Sequence, residues 1–125
     1  AQQKDGGWAQ LPQMTSDPYA TGTALAALVD TGLLTAESNK FVNGARFLLQ
    51  NQQSDGSWHV RTRVKGKQPF YNSFFPHKQD QFISVSASAW ATYALLQSLP
   101  LVEPGRQRNY LEVHPKAAIQ IATSN

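Results

Sequence analysis

The sequence predicts an all-α chain of antiparallel helix hairpins, and three observations lead to that class. Gln2-x-x-x-Gly6-x-Trp8 returns as Gln52-x-x-x-Gly56-x-Trp58, fifty residues later, with Asp5 and Asp55 in register. Ala24-Leu-Ala-Ala-Leu28 is echoed by Ala91-Thr-Tyr-Ala-Leu95, sixty-seven residues later. Apolar residues in the intervening segments recur every three or four positions, the period of a helix face. Self-similarity at such intervals marks a repeated supersecondary unit. The unequal offsets place a 17-residue insertion between Trp58 and Trp90. The chain therefore opens at the tail of one unit, holds one complete unit, and continues into the first helix of the next.

Each helix carries its own signals. Asp17-Pro18 supplies an N-cap followed by proline at the first helical position, where a missing N–H costs nothing. Residues 21, 24, 25, 28 and 29 then form an apolar or small face, and Gly32 is a left-handed stop. Thr35 is read as the cap of a second helix, with Glu37 in its first turn. Val42, Ala45, Leu49 and Gln52 make its stripe, and Ser54-Asp55-Gly56 its closing turn. A third helix is expected from about Val85 to Leu99, with Val85, Ala89, Thr92, Leu96 and Leu99 aligned and Pro100 as its stop. Its many Ser and Ala residues would let a neighbouring helix approach closely. Residues 1–100 are read as the repeat segment and 101–125 as a C-terminal extension, with a short helix beginning at Pro115 and running through Ile119 and Ile121.

The connection from about 59 to 81 is longer than an ordinary helix–helix loop of about 2–8 residues. It begins with His59, Arg61, Arg63, Lys65 and Lys67 at every second position, so an extended backbone points them to one side. Val60, Thr62 and Val64 alternate with them, a pattern that suits a short hairpin turning near Gly66-Lys67. Aromatic residues follow: Phe70, Tyr71, Phe74, Phe75 and Phe82.

Composition narrows the chemistry. The 125 residues carry a net charge of +3 and no cysteine. That removes thiol nucleophiles, thioesters, disulfides, Cys-ligated zinc and iron–sulfur clusters. Residues 81 to 102 contain no charged group, but Ser84, Ser86, Ser88, Thr92, Gln97, Ser98 and Pro100 make the stretch too polar for a lipid-facing span. It reads as a buried helix, and the chain as not membrane-spanning.

Asn43-Gly-Ala-Arg-Phe-Leu-Leu-Gln-Asn-Gln-Gln-Ser-Asp-Gly-Ser-Trp58 resembles the QW motif of the prenyltransferase and squalene-cyclase repeat. Gly44, Phe47, Leu48, Gln52, Gly56 and Trp58 fit the motif, while Asn43 replaces its basic residue. Gln2, Gly6 and Trp8 fit the end of another copy. The run from Phe75 to Ser84, followed by Ala89-Trp-Ala-Thr92, is similar to a bacterial subgroup of these repeats that is typically exported. The resemblance implies an α/α toroid, here incomplete, and a periplasmic or exported setting. It also implies that Trp8 and Trp58 tie hairpins together away from any chemistry.

The activities that the resemblance brings to mind lack their carrying residues. Cyclases of the family protonate their substrate with Asp-x-Asp-Asp, and the five aspartates here, at 5, 17, 30, 55 and 80, are isolated. Zinc-dependent prenyl transfer and thioester chemistry both need Cys. Among the remaining candidates, Asp80 with His77 is a possible acid–base pair, set against simple pinning of the loop. The spacing of His59, His77 and Asp80 matches no common zinc pattern, so neither a metal nor a cofactor is implied. Arg61, Arg63, Lys65 and Lys67 are candidate anion contacts, but no nucleic-acid module accompanies them, which argues against nucleic acid. Phe74, Phe75, Trp90 and Tyr93 are the candidates for an apolar cavity. The expectation is a non-catalytic repeat module acting in assembly or recognition, its partners being other subunits or the rest of a longer parent chain. The alternative is a fragment of a terpenoid-cyclase-like enzyme, or a domain that binds an apolar ligand such as a lipid.

Overall fold

A computed structural model describes residues 1–63 and 71–99. The described residues are all-α: α1 spans Pro18–Asp30, α2 Asn39–Gln50 and α3 Gln81–Leu96, with a 3-10 turn at Lys78–Asp80 entering α3. They hold no strand beyond one isolated antiparallel bridge between Gln52 and Trp58. The hairpin turn expected near Gly66-Lys67, the Pro100 stop and the 101–125 extension with its Pro115 helix lie outside the described residues.

Asp17 caps α1 as its sequence implies, accepting from the Ala20 N–H at 2.9 Å, with Pro18 in the first turn. Gly32 closes α1 at φ +71°, and its N–H reaches the Val29 carbonyl at 2.9 Å. The start of α2 differs from expectation. Ser38, not Thr35, is the cap, accepting from the Phe41 N–H. Thr35 instead offers its carbonyl to the Ser38 N–H at 3.1 Å, so a turn consumes residues 35–38 before the helix begins.

The apolar faces are also rotated from the sequence reading. On α1 the buried residues are Pro18, Ala20, Thr21, Gly22, Leu25 and Ala26. On α2 they are Phe41, Gly44, Phe47 and Leu48, while Val42 and Leu49 are exposed. On α3 they are Gln81, Ser84, Ala87, Ala91 and Ala94. The bulky stripe of α3 faces outward instead: Phe82, Val85 and Leu96 are exposed, as are Trp90 and Tyr93. So α3 is buried on one side only. The physical reason lies at the crossing of α1 and α3. A Cβ on Gly22 would lie 2.8 Å from both the Ala91 nitrogen and the Trp90 carbonyl carbon. Backbones that close exclude large side chains, so the small residues turn inward and the large ones are left outside. The core that results joins Leu25, Phe41, Phe47, Leu48, Trp58 and Val60 to the alanines of α3.

Candidate functional site

Two tight turns, about Gly6 and Gly56, carry the same bonds. Each glycine has positive φ, +87° and +84°. Each preceding aspartate, Asp5 or Asp55, accepts the N–H two residues on, at 2.9 and 3.0 Å. Gln2 and Gln52 donate their amides to the carbonyls of Gly6 and Gly56, at 2.8 and 3.0 Å. The backbone N–H of Trp8 goes to Thr21 Oγ1 on α1, and that of Trp58 to Ser88 Oγ on α3, both at 2.9 Å. Thr21 and Ser88 are 67 residues apart, the offset already seen between the helices.

The turns differ in what lies around them. Gln2 also donates to the Lys40 carbonyl on α2 at 2.8 Å, and Gly6 abuts the Asn43 carbonyl. Gly56 has open space at the equivalent place. Conversely, Trp58 is only 2% exposed and its indole N–H donates to the Leu48 carbonyl at 2.7 Å. Trp8 is partly exposed and borders a cleft of about 650 Å³, lined also by Leu11, Tyr19, Thr23 and Ala24, with Arg63 at its rim.

The long connection is fastened to α3 by a polar stripe that the sequence reading passed over. Residues 58, 60 and 62 run extended along the helix and give alternate N–H groups to Ser88, Ser84 and Asp80, at 2.9, 3.1 and 2.7 Å. Two extended residues advance about 6.6 Å and four helical residues about 6 Å, so the two periods keep step over this length. Over the described residues 58–62, the alternation thus has a helix as its partner. Val60 is turned in and buried, with His59 and Arg61 turned out. Gln81, fully buried, finishes the fastening: its carbonyl oxygen accepts from the Ser73 N–H and hydroxyl, and its amide donates to the Tyr71 carbonyl. Polar residues at 81, 84 and 88, spaced three and four apart on one face of the helix, are the signal for this.

The candidate His77–Asp80 pair does not form. Asp80 pairs with His59 Nε2 at 2.8 Å, while His77 Nε2 lies 2.7 Å from Ser57 Oγ. His77 takes a left-handed backbone, φ +79°, which turns it back onto the second tight turn. The Ser57 hydroxyl donates to Asp55 at 2.6 Å, so the His77 nitrogen acts as donor to Ser57. A serine whose proton is committed to a carboxylate, and which accepts from its histidine, is not an activated nucleophile. The His59 and His77 rings stack with centroids 4.7 Å apart, lining a shallow cleft with Asp80. Their Nε2 atoms have different partners, Asp80 and Ser57, and among the described residues no three such groups converge as metal ligands.

The other candidates are dispersed. Arg63 turns toward Asp17 (3.5 Å) and Met14 Sδ, so it is not a free anion contact; Arg61 is exposed, and Lys65 and Lys67 lie outside the described residues. Phe74, 90% exposed, and Phe75 line a cleft with Pro76 and His77. Trp90 and Tyr93 form their own edge-to-face pair on α3, and Tyr93 donates to Asp30 at 3.1 Å. Among the described residues, Phe74 and Phe75 thus share one cleft, while Trp90 and Tyr93 pair with each other on α3.

The Thr62 N–H and then His59 hold the Asp80 carboxyl below its ordinary value of 3.8. A carboxyl lowered in the folded state adds stability above its unfolded pKa, and that contribution is lost as pH falls through the lower folded value. Acidification through that lowered value, below 3.8, is therefore expected to release residues 59–62 from α3. Hydrogen exchange at the Thr62 amide checks this, and Asp80→Asn should bring the same acceleration at neutral pH. No helix among the described residues is long and apolar enough to cross a membrane. No family model, curated protein or solved structure matches the chain.

Proposed function

We propose that this chain is a non-catalytic segment of α/α-toroid repeat type, acting in assembly with the rest of a larger protein or complex. The observation that carries this reading is the exposed apolar side of α3, where Phe82, Val85 and Leu96 stand 43–55% exposed along one stripe. An apolar stripe of that kind on a helix whose other side is already packed marks an interaction surface. The two like-bonded turns support the resemblance to the squalene-cyclase repeat, because the residues shared with the QW motif are the ones that make those bonds. The cleft beside Trp8 and the open space beside Gly56 support the idea that units of the same kind belong on either side. Asp80, held by His59 and the Thr62 N–H with its carboxyl below the ordinary value, is poorly suited to donate a proton, which favours assembly over the cyclase-like alternative.

Native mass spectrometry of the protein from its own source tests the reading. Recovery within a larger chain or complex is the expected result. A free monomer carrying a stoichiometric small apolar mass would replace it with ligand binding.

A further inference from the structure

The assembly reading leaves the partner open, and the internal geometry of the chain narrows it. Inside the chain, α1 meets α3 where Gly22 lies against the backbone of Trp90 and Ala91. α3 repeats α1 at a step of 67 residues, the step that relates Thr21 to Ser88 and their bonds to Trp8 and Trp58. Under that step Gly22 corresponds to Ala89, and Ala91 corresponds to Ala24. Both counterparts are small, and neither is buried: Ala89 is exposed and Ala24 lines the cleft beside Trp8. Four of the five buried residues of α3, at 84, 87, 91 and 94, likewise correspond to Asp17, Ala20, Ala24 and Ala27; Asp17 and Ala20 are buried, Ala20 and Ala24 line that cleft, and Ala27 is exposed. One end of the chain thus shows a trough of small residues and the other a ridge of Val85, Ala89, Thr92 and Leu96. They are the two halves of the α1–α3 contact, each displaced by one step. The charges beside the trough are Asp17 and Arg63, which face each other at 3.5 Å, and the ridge residues carry none.

We infer that the partner is a second copy of this chain, docked head-to-tail, with Ala24 on α1 of one copy seated against Ala89 on α3 of the next. The contact continues the α1–α3 interface across the boundary between chains. It rests on the assembly reading. Because it joins unlike surfaces, every copy added leaves one free surface of each kind, and growth continues until a ring closes or a filament forms.

The cysteine-free sequence makes the test direct. Ala24→Cys and Ala89→Cys are prepared separately in the full chain, at positions where a slightly larger side chain is accommodated without disturbing the core. Mild oxidation of the mixture should give a covalent dimer, and either variant alone should form no covalent dimer, since like positions do not meet. The unmodified chain should sediment as species whose mass rises with concentration past the dimer, and Leu96→Glu should lose them. An unmodified chain that stays monomeric at every concentration overturns the inference, as does cross-linking of either variant alone as readily as of the mixture. A chain monomeric in isolation but recovered from its source in a larger assembly defeats self-association and leaves the assembly reading standing. A free monomer from the source defeats both.

Discussion

Gly22→Val should unfold much of the chain, lowering stability by about 3 kcal/mol, as overpacking of a tight contact does at its upper range. The cause is position rather than backbone conformation. A Cβ at Gly22 lies 2.8 Å from atoms of the α3 backbone, which no rotamer change can move aside. α1 and α3 would have to separate, and Ala87, Ala91 and Ala94 would lose the neighbours that now bury them completely. Gly22→Ala is the sharper comparison. Alanine gains about 1 kcal/mol of helix propensity over glycine, against an overpacking cost of about 1–3 kcal/mol, so a net loss of about 1 kcal/mol is expected. Urea unfolding followed by helical circular dichroism reads both, as lower midpoints in the order alanine, then valine. An alanine variant more stable than the parent would mean that the helices do not cross this closely.

How much of this crossing was legible beforehand depends on the residue. Asp17-Pro18 and Gly32 act locally, and their roles follow from side-chain and backbone chemistry alone. The paired turns were equally readable, since Gln, Asp and Gly at fixed spacing make bonds that span only a few residues. The orientation of each helix was not. Val85, Ala89, Thr92 and Leu96 do form one stripe, but periodicity says only that residues share a face, not which face is buried. Small residues won the inward side of α3 because Gly22 brings the helices together, a fact about another element sixty or more residues away. The His77–Asp80 pairing failed for a similar reason. Loop residues three apart can turn back on each other, but a left-handed residue at His77 sends the ring toward Ser57 instead. Asp80 was correctly placed as a fastening for the loop, though its partners, Thr62 and His59, came from the far side of the insertion.

The two tryptophans should behave very differently despite standing in the same turn. Trp58→Ala is expected to cost about 3–5 kcal/mol, the range for removing a large aromatic residue from a packed core. Trp58→Phe should cost only about 1 kcal/mol, the net worth of one hydrogen bond. Leu48 would not be stranded by that change, because its carbonyl also accepts from the Asn51 N–H at 3.1 Å. Trp8→Ala should cost about 1–2 kcal/mol in the isolated chain, since less of the ring leaves water on folding. Thermal unfolding of the four proteins at low concentration gives this order. The gap between Trp8 and Trp58 then becomes a measure of cover. Trp58 has α2 over it and Trp8 has an open cleft, so whatever seats there supplies Trp8 with the packing that Leu48 and its neighbours give Trp58. In the assembled state the penalty for Trp8→Ala should therefore climb toward that of Trp58→Ala. A penalty unchanged between dilute chain and assembly would place the partner elsewhere than on the Trp8 cleft.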